Sequence, residues 1–417
     1  MTNSGREGQA TLEEGRGRRL HYGFVVVAMA GLTVLAALGL ARYPYALILP
    51  SMKDALNLNY TEMGLLATGY FAGYLVFAVL TSILAAKFGS RVVMFGSMVV
   101  AALGLGATGL AQGFEVALIT RIVTGAATAG GYVQAMALPA AWFTFRRRGM
   151  ASGIQVGGVG IGFIASGVII PMLLLTSAAS GWRYAWFFLG AAVLVIAVAG
   201  GIWSRNRPSD MGLEPFGPPD PPTDAPTTPA PLGEVYKSRL LWHISVLYLL
   251  YGFTNIVVMT FFAAYLTREL GIGDAEAGKL FAILGAAAIL SGVAWGTVSD
   301  RVGRKYGLAL SLLLLGMASA TLAGFHDPVA IYVAGALFGF CLTGAPAIVA
   351  AASGDYFGPR MAAPALGFLT VSFGLGQAIG PGVGGYIADL TGSFVIPFYL
   401  AGATSIIAAG GSLLLRK

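Results

Sequence analysis

Twelve apolar runs follow one another along this chain, at residues 22–49, 62–84, 91–112, 115–139, 150–175, 183–203, 240–266, 276–298, 306–325, 329–353, 363–388 and 394–414. Each is about 18 residues or longer, enough to cross the hydrocarbon core of a bilayer as a helix. Charged residues make up only 10% of the chain, where a soluble domain carries about 25%. There are too few to cover a water-facing surface. Sixty glycines fit the same reading, because small residues let membrane helices approach closely. The expected fold class is therefore an all-α integral membrane protein with twelve transmembrane helices.

Between the sixth and seventh runs lies the stretch GPPDPPTDAPTTPAPLG. Its prolines and lack of apolar periodicity read as an extended, solvated linker. The expected organisation is a cytoplasmic tail at 1–21, a six-helix half at 22–203, the linker at 204–239 and a second half at 240–417. The first apolar run is too long for a signal-peptide h-region and has no clear cleavage site. With the N-terminus inside, nineteen of the twenty-five lysines and arginines fall on the cytoplasmic side, as the positive-inside bias requires. The net charge of +7 is then a topology signal and not a nucleic-acid footprint. The expected location is a bacterial inner membrane, with both termini cytoplasmic and the chain a monomer.

One offset ties the two halves together. WGTVSDRVGRKYG at 295–307 has a weaker copy, TSILAAKFGSRVV, 214 residues earlier at 81–93. Lys87 stands where Arg301 does, Gly89 where Gly303 does, and Arg91 where Lys305 does, while Ala86 replaces Asp300. The same ungapped register pairs Glu62 and Gly64 with Glu276 and Gly278, and Gly125 and Gly130 with Gly339 and Gly344. Two parallel six-helix repeats are a transporter architecture.

At this point the chain resembles the major facilitator superfamily. Gly296, Asp300, Arg301, Gly303, Arg304 and Lys305 fill that superfamily's loop pattern G-x-x-x-D-[RK]-x-G-[RK]-[RK]. Arg121 and Gly125 look like its fourth-helix motif, and GQAIGPGVGG at 376–385 looks like its Gly-Pro bend motif. GWRYAWFF at 181–188 is similar to a common start of its sixth helix. More weakly, the chain resembles bacterial organic-anion carriers of the oxalate/formate and monocarboxylate type. It lacks the cation that those carriers tend to keep in the eighth or eleventh helix. The resemblance implies the twelve-helix fold in two pseudo-symmetric halves. It also implies a conformational latch at the six loop residues together with Lys87 and Arg91, weighted toward Asp300 because the first copy has lost its acid.

A charge embedded in a membrane span is expensive and marks function by default. Two such residues occur, Arg42 and Arg121, and no Asp or Glu lies deep in any run. Guanidinium binds carboxylate as a bidentate fork, so the pair suits an anionic substrate. Other candidates follow helical spacing. Tyr45 shares a face with Arg42, Thr128 and Tyr132 continue the Arg121 stripe, and Tyr248, Tyr251 and Asn255 form a stripe on the seventh run. Gln155 and Gln377 lie within the fifth and eleventh runs. For each alone, interhelical packing is the competing explanation.

The function expected is secondary transport of a small mono- or dicarboxylate by alternating access, as proton symport or anion exchange. The rival is a drug or hydrophobic-compound antiporter, which usually needs a buried acid. A non-transporting sensor on the same scaffold would want a folded signalling domain in the linker. No nucleophile–base pair, metal-ligand cluster or phosphate loop argues for an enzyme, and a lone cysteine, Cys341, excludes a disulfide within the chain. No cofactor and no metal is called for.

Overall fold

A computed structural model describes residues 21–177, 179–218 and 232–415. The tail at 1–20, the Pro-rich core of the linker at 219–231 and the terminal Arg416 and Lys417 lie outside the described residues. Twelve helices are long and apolar enough to cross a membrane. The first six are α1 (Tyr22–Leu56), α2 (Tyr60–Phe88), α3 (Ser90–Gly109), α4 (Phe114–Trp142), α5 (Arg146–Leu175) and α6 (Gly181–Trp203). After the linker come α7 (Arg239–Glu269), α8 (Asp274–Val302), α9 (Arg304–Gly324), α10 (Pro328–Gly358), α11 (Arg360–Thr391) and α12 (Val395–Leu413). Most spans begin or end a few residues beyond the apolar stretches, where flanking polar residues continue the helices, while α12 is a residue shorter at each end.

The offset of 214 is written into the geometry as well as the sequence. Gly89 (φ 82°) and Gly303 (φ 94°) turn α2 into α3 and α8 into α9, in a backbone conformation that costs glycine little. Asn57 (φ 52°) and Gly271 (φ 67°), again 214 apart, turn α1 into α2 and α7 into α8. Gly125 of α4 lies against the Tyr70 carbonyl of α2, and Gly339 of α10 against the Leu284 carbonyl of α8. A Cβ at either place would collide with backbone, which has no rotamer to escape into. Gly125→Ala is therefore expected to lower the melting temperature, overpacking costing about 1–3 kcal/mol. Gly153→Ala, where a Cβ meets nothing within 4 Å, is expected to leave it unchanged or raise it.

The helices end on two faces. The linker face carries the turns at Gly89 and Gly303, the junctions after Trp142 and Gly358, and the linker itself. The far face carries the other turns. Among the described residues, every hydrogen bond between 21–218 and 232–415 lies toward the far face, on residues 50–68 of one side and 268 or 378–389 of the other. There Gly64 of α2 touches the Pro381 carbonyl of α11, and its counterpart Gly278 of α8 touches the Gly167 carbonyl of α5. Toward the linker face, Gly153 and Gly157 on α5 and Gly367 on α11 meet no neighbour. The two sets of six helices are joined at the far face and parted at the linker face.

Candidate functional site

The site begins with a fault in α1. Its first part is regular to Val34, widens to π-helical turns over Leu35–Leu40, and breaks into a turn at 41–44 before Tyr45–Leu56 resumes. Pro44 has no N–H to give the preceding turn and crowds it sterically. In the broken turn the Ala41 carbonyl accepts a hydrogen bond from Arg121 of α4, at 3.2 Å. On the α5 side the widened segment is held by the Gly39–Gly162 approach and by Ser166, whose hydroxyl donates to the Gly39 carbonyl at 3.1 Å. Arg42 therefore hangs in the break, next to Arg121.

Among the described residues these are the only charged side chains that are buried, Arg42 at 8% exposure and Arg121 at 1%. Both guanidiniums lie over aromatic rings. Arg121 is 4.7 Å from the centroid of Tyr45, 4.5 Å from Tyr70 and 5.4 Å from Trp186. Arg42 is 4.5 Å from Phe71 and 4.9 Å from Tyr43. Ring faces attract cations, each contact worth about 0.5–2 kcal/mol, but rings accept no strong hydrogen bond. Nε and one terminal nitrogen of Arg42, and Nε of Arg121, have no partner. Donors left open on buried cations are costly, and an anionic ligand would satisfy them.

The cavity between the two arginines is about 20 Å³, room for one water-sized group. Its floor and walls come from Tyr45, Ala67, Tyr70 and Phe71, and Ile256, Met259 and Thr260 of α7 close it from the other side. Thr128 bonds the Tyr70 hydroxyl at 2.6 Å.

Across the seam, Tyr248, Tyr251 and Phe373 stack with centroids 4.9–5.7 Å apart. Asn255 donates to the Tyr251 hydroxyl at 3.3 Å, and that hydroxyl donates to the Leu342 carbonyl. Asn255 Oδ1 and Gln377 Nε2 are buried without partners. Gln155 stands apart. Its amide donates to the Ala135 carbonyl at 2.9 Å and ties α5 to α4. Tyr43, Tyr70, Phe71 and Trp186 were not singled out from the sequence, since aromatic residues on membrane helices face lipid as readily as a site.

On the linker face the expected latch residues split into two arrangements. Arg304 pairs with Asp300 one turn back and with Asp355 of α10 at 2.6 Å, and donates to the Ser299 hydroxyl at 2.8 Å. Asp355 was not expected there. Positions 214 earlier hold Ala86, Ser90 and Ala141, so no such cluster can form. The described beginning of the linker stands in its place, and it is not the free solvated stretch its prolines suggest. Asn206 accepts from the Arg91 N–H at 2.8 Å, and Arg91 Nε donates to the Gly201 carbonyl at 2.7 Å. The Phe216 N–H donates to the Trp142 carbonyl at 2.9 Å, and the Phe216 ring packs on His21, Phe24 and Phe143. Phe216→Ala is expected to increase amide hydrogen exchange at 142–148 about tenfold or more, for a loss of a few kcal/mol of packing. The equivalent junction after Gly358 is expected to stay unchanged.

The far face holds the charged contacts that bridge the seam. Asp389, at the end of α11, accepts from the N–H groups of Tyr60 and Thr61 at 2.8 and 2.7 Å, and from the Thr61 hydroxyl. It thereby caps the N-terminus of α2, where orphan donors and the helix dipole favour an anion. Arg268 pairs with Asp54 and donates to the Pro50 carbonyl at 3.1 Å. Arg268 and Asp54 are themselves 214 apart, as two residues meeting near a pseudo-twofold axis would be.

A family model described as an uncharacterised MFS-type transporter, YbfB, matches residues 34–413. The hexuronate transporter of Bacillus subtilis is 27% identical over 386 residues, 89% of each chain. The protein named "Probable sulfoacetate transporter SauU" of Cupriavidus necator is 24% identical over 383 residues, 88% of each. A quinolone resistance transporter of Acinetobacter baumannii is 24% identical over 351 residues, 81% of this chain and 80% of its own. Among solved structures, a bacterial homologue of the human lysosomal transporter Spinster superposes with a TM-score of 0.77 at 17% identity, covering 96% of this chain and 99% of its own. At that identity the likeness speaks for the fold alone.

Proposed function

This chain belongs to the major facilitator superfamily of membrane transporters, and we propose that it carries a small organic anion, a mono- or dicarboxylate, by alternating access. The observation that supports this most is the pair of buried guanidiniums, with donors open and no buried acid among the described residues. Relatives named for hexuronate and sulfoacetate point to the same substrate class. Arg42 takes the carboxylate, and Arg121 holds the α1 break open while adding positive potential. The cavity is too small for a whole substrate in this conformation. The anion occupies it once Ile256, Met259 and Thr260 of α7 draw back, which rocking of 22–203 against 240–417 would do.

The Lys/Arg bias supports a linker face on the cytoplasmic side of a bacterial inner membrane. On that orientation the conformation described is open to the inside and closed to the outside. With no embedded carboxylate to carry it, a coupled proton would travel on the substrate itself, or transport proceeds by anion exchange.

The quinolone resistance relative supports drug efflux as a second reading, and the lack of a buried acid counts against it. A thermal-shift panel separates the two. The expected result is stabilisation by sugar acids or small carboxylates, by RT ln(1 + [L]/Kd), and none by cationic or zwitterionic quinolones. Stabilisation by quinolones alone would replace the anion reading.

A further inference from the structure

The two halves bring unequal chemistry to the site. Arg42 and Arg121 have Ile256 and Gly335 as their counterparts 214 residues on, and Arg42 and Ile256 both line the arginine cavity. One end of a bound anion therefore meets two guanidiniums, and the second half answers with no cation. What it offers is polar and neutral. Asn255 and Gln377 are each 2% exposed, and Asn255 Oδ1 and Gln377 Nε2 have no partner within the protein. Buried polar atoms left open are costly, and packing between the helices has not satisfied these two.

Both amides stand beside the arginine cavity, on its linker-face side. Asn255 precedes Ile256 on α7 and shares a helix face with Met259, one turn or about 6 Å further along the axis. Ile256 and Met259 both line the cavity. On α11, Gln377 lies between Gly380, which packs against Ile256, and Phe373, which stacks on Tyr248 and Tyr251. From the far face toward the linker face, the order along both helices is therefore the guanidinium cavity, the two amides and the ring stack.

We infer that Asn255 and Gln377 read a hydroxyl at the end of the substrate remote from its carboxylate, so that the carrier takes hydroxylated monocarboxylates and rejects dicarboxylates. The inference rests on the carboxylate reading of the same site and narrows it. An alcohol is donor and acceptor at once. Its O–H satisfies Asn255 Oδ1 while its oxygen accepts from Gln377 Nε2. With the carboxylate at Arg42, an offset of about 6 Å is spanned by a chain of about five or six carbons. The C–H groups of that chain lie against the ring stack, whose faces carry partial negative charge. A second carboxylate would instead face Asn255 Oδ1 with no cation to neutralise it, and burying an unpaired charge costs far more than burying an alcohol.

The test measures the affinity of the purified full chain for gluconate, hexanoate and adipate by thermal shift. These acids share a six-carbon chain and differ in their hydroxyls and in a second carboxylate. Gluconate is expected to bind about tenfold or more tightly than the other two, because a site built to hydrogen-bond a hydroxyl rejects analogues that lack it. Asn255→Leu and Gln377→Met are expected to erase that preference, the second keeping the length of the side chain where the first disturbs Tyr251. Arg42→Gln is expected to weaken every acid that binds. Equal affinity for gluconate and hexanoate, both lost in Arg42→Gln, would overturn the hydroxyl assignment and leave the carboxylate reading standing. Tighter binding of adipate, or a full gluconate preference surviving in Gln377→Met, would do the same. No response to any of the three acids would overturn both.

Discussion

Arg42→Gln is expected to reduce carboxylate uptake in proteoliposomes at least about 30-fold, with the protein still folded in the membrane. Losing one partner of a desolvated, hydrogen-bonded charge pair costs about 2–5 kcal/mol, and each 1.4 kcal/mol is tenfold. Arg42 bears the prediction because its Nε and a terminal nitrogen have no partner within the protein. Removing it deprives the substrate and leaves no carbonyl or carboxylate orphaned. Arg42→Lys restores charge without the planar fork and should recover part of the activity. Arg121→Gln is expected to lose transport too, but with reduced folded yield, because it also releases the Ala41 carbonyl and three ring contacts. The difference in yield separates the ligand-binding arginine from the one that shapes the site.

The second large effect is expected at the far face. Asp389→Ala removes an anionic cap that ties α11 to α2 through two backbone donors and one hydroxyl. A hydrogen bond to a charged group is worth about 1.5–3 kcal/mol, and Asp389 is exposed, so water replaces most of what the three bonds lose. A net loss of about one bond's worth lowers the far-closed state roughly tenfold to a hundredfold in relative population. Spin labels at Ala55 and Thr391, exposed residues on opposite sides of the seam, would report a long-distance population rising in the variant. Asp389→Asn keeps an acceptor without the charge and should lie between. The expected consequence for transport is a changed turnover with little change in substrate binding. An unaltered distance distribution in Asp389→Ala would mean that packing at Gly64 and Gly278, with Arg268–Asp54 and the Thr68 hydrogen bonds, closes this face without Asp389.

The helices and their register were legible because the bilayer permits few alternatives to an apolar helix, and because the repeat keeps one offset without gaps. Arg42 and Arg121 were legible for the same physical reason, a charge in a span being too expensive to be incidental. Pro44 announced a break in α1, though not the widened turns before it or the capture of the Ala41 carbonyl by Arg121. What escaped the sequence depends on which helices meet. Asp389 reads as one more acid at a solvated helix end until α11 is seen to abut the start of α2. Asp355 becomes Arg304's partner only through the packing of α10 beside α8 and α9. The role of 204–218 was hidden by composition, since a Pro-rich stretch reads as solvated while Phe216 and Asn206 within it are tightly bound. Of the latch expected at Lys87 and Arg91 on the first half, Arg91 instead joins the start of the linker through Asn206 and the end of α6 through the Gly201 carbonyl.

One comparison tests the anion reading most directly. Proteoliposomes would be loaded and assayed in parallel with a sugar acid and with the neutral sugar of the same skeleton, the two differing only in the carboxylate. Saturable uptake of the acid, absent for the neutral sugar and lost in Arg42→Gln, is the predicted result. Equal uptake of both compounds, or transport of the acid that survives in Arg42→Gln, would contradict it.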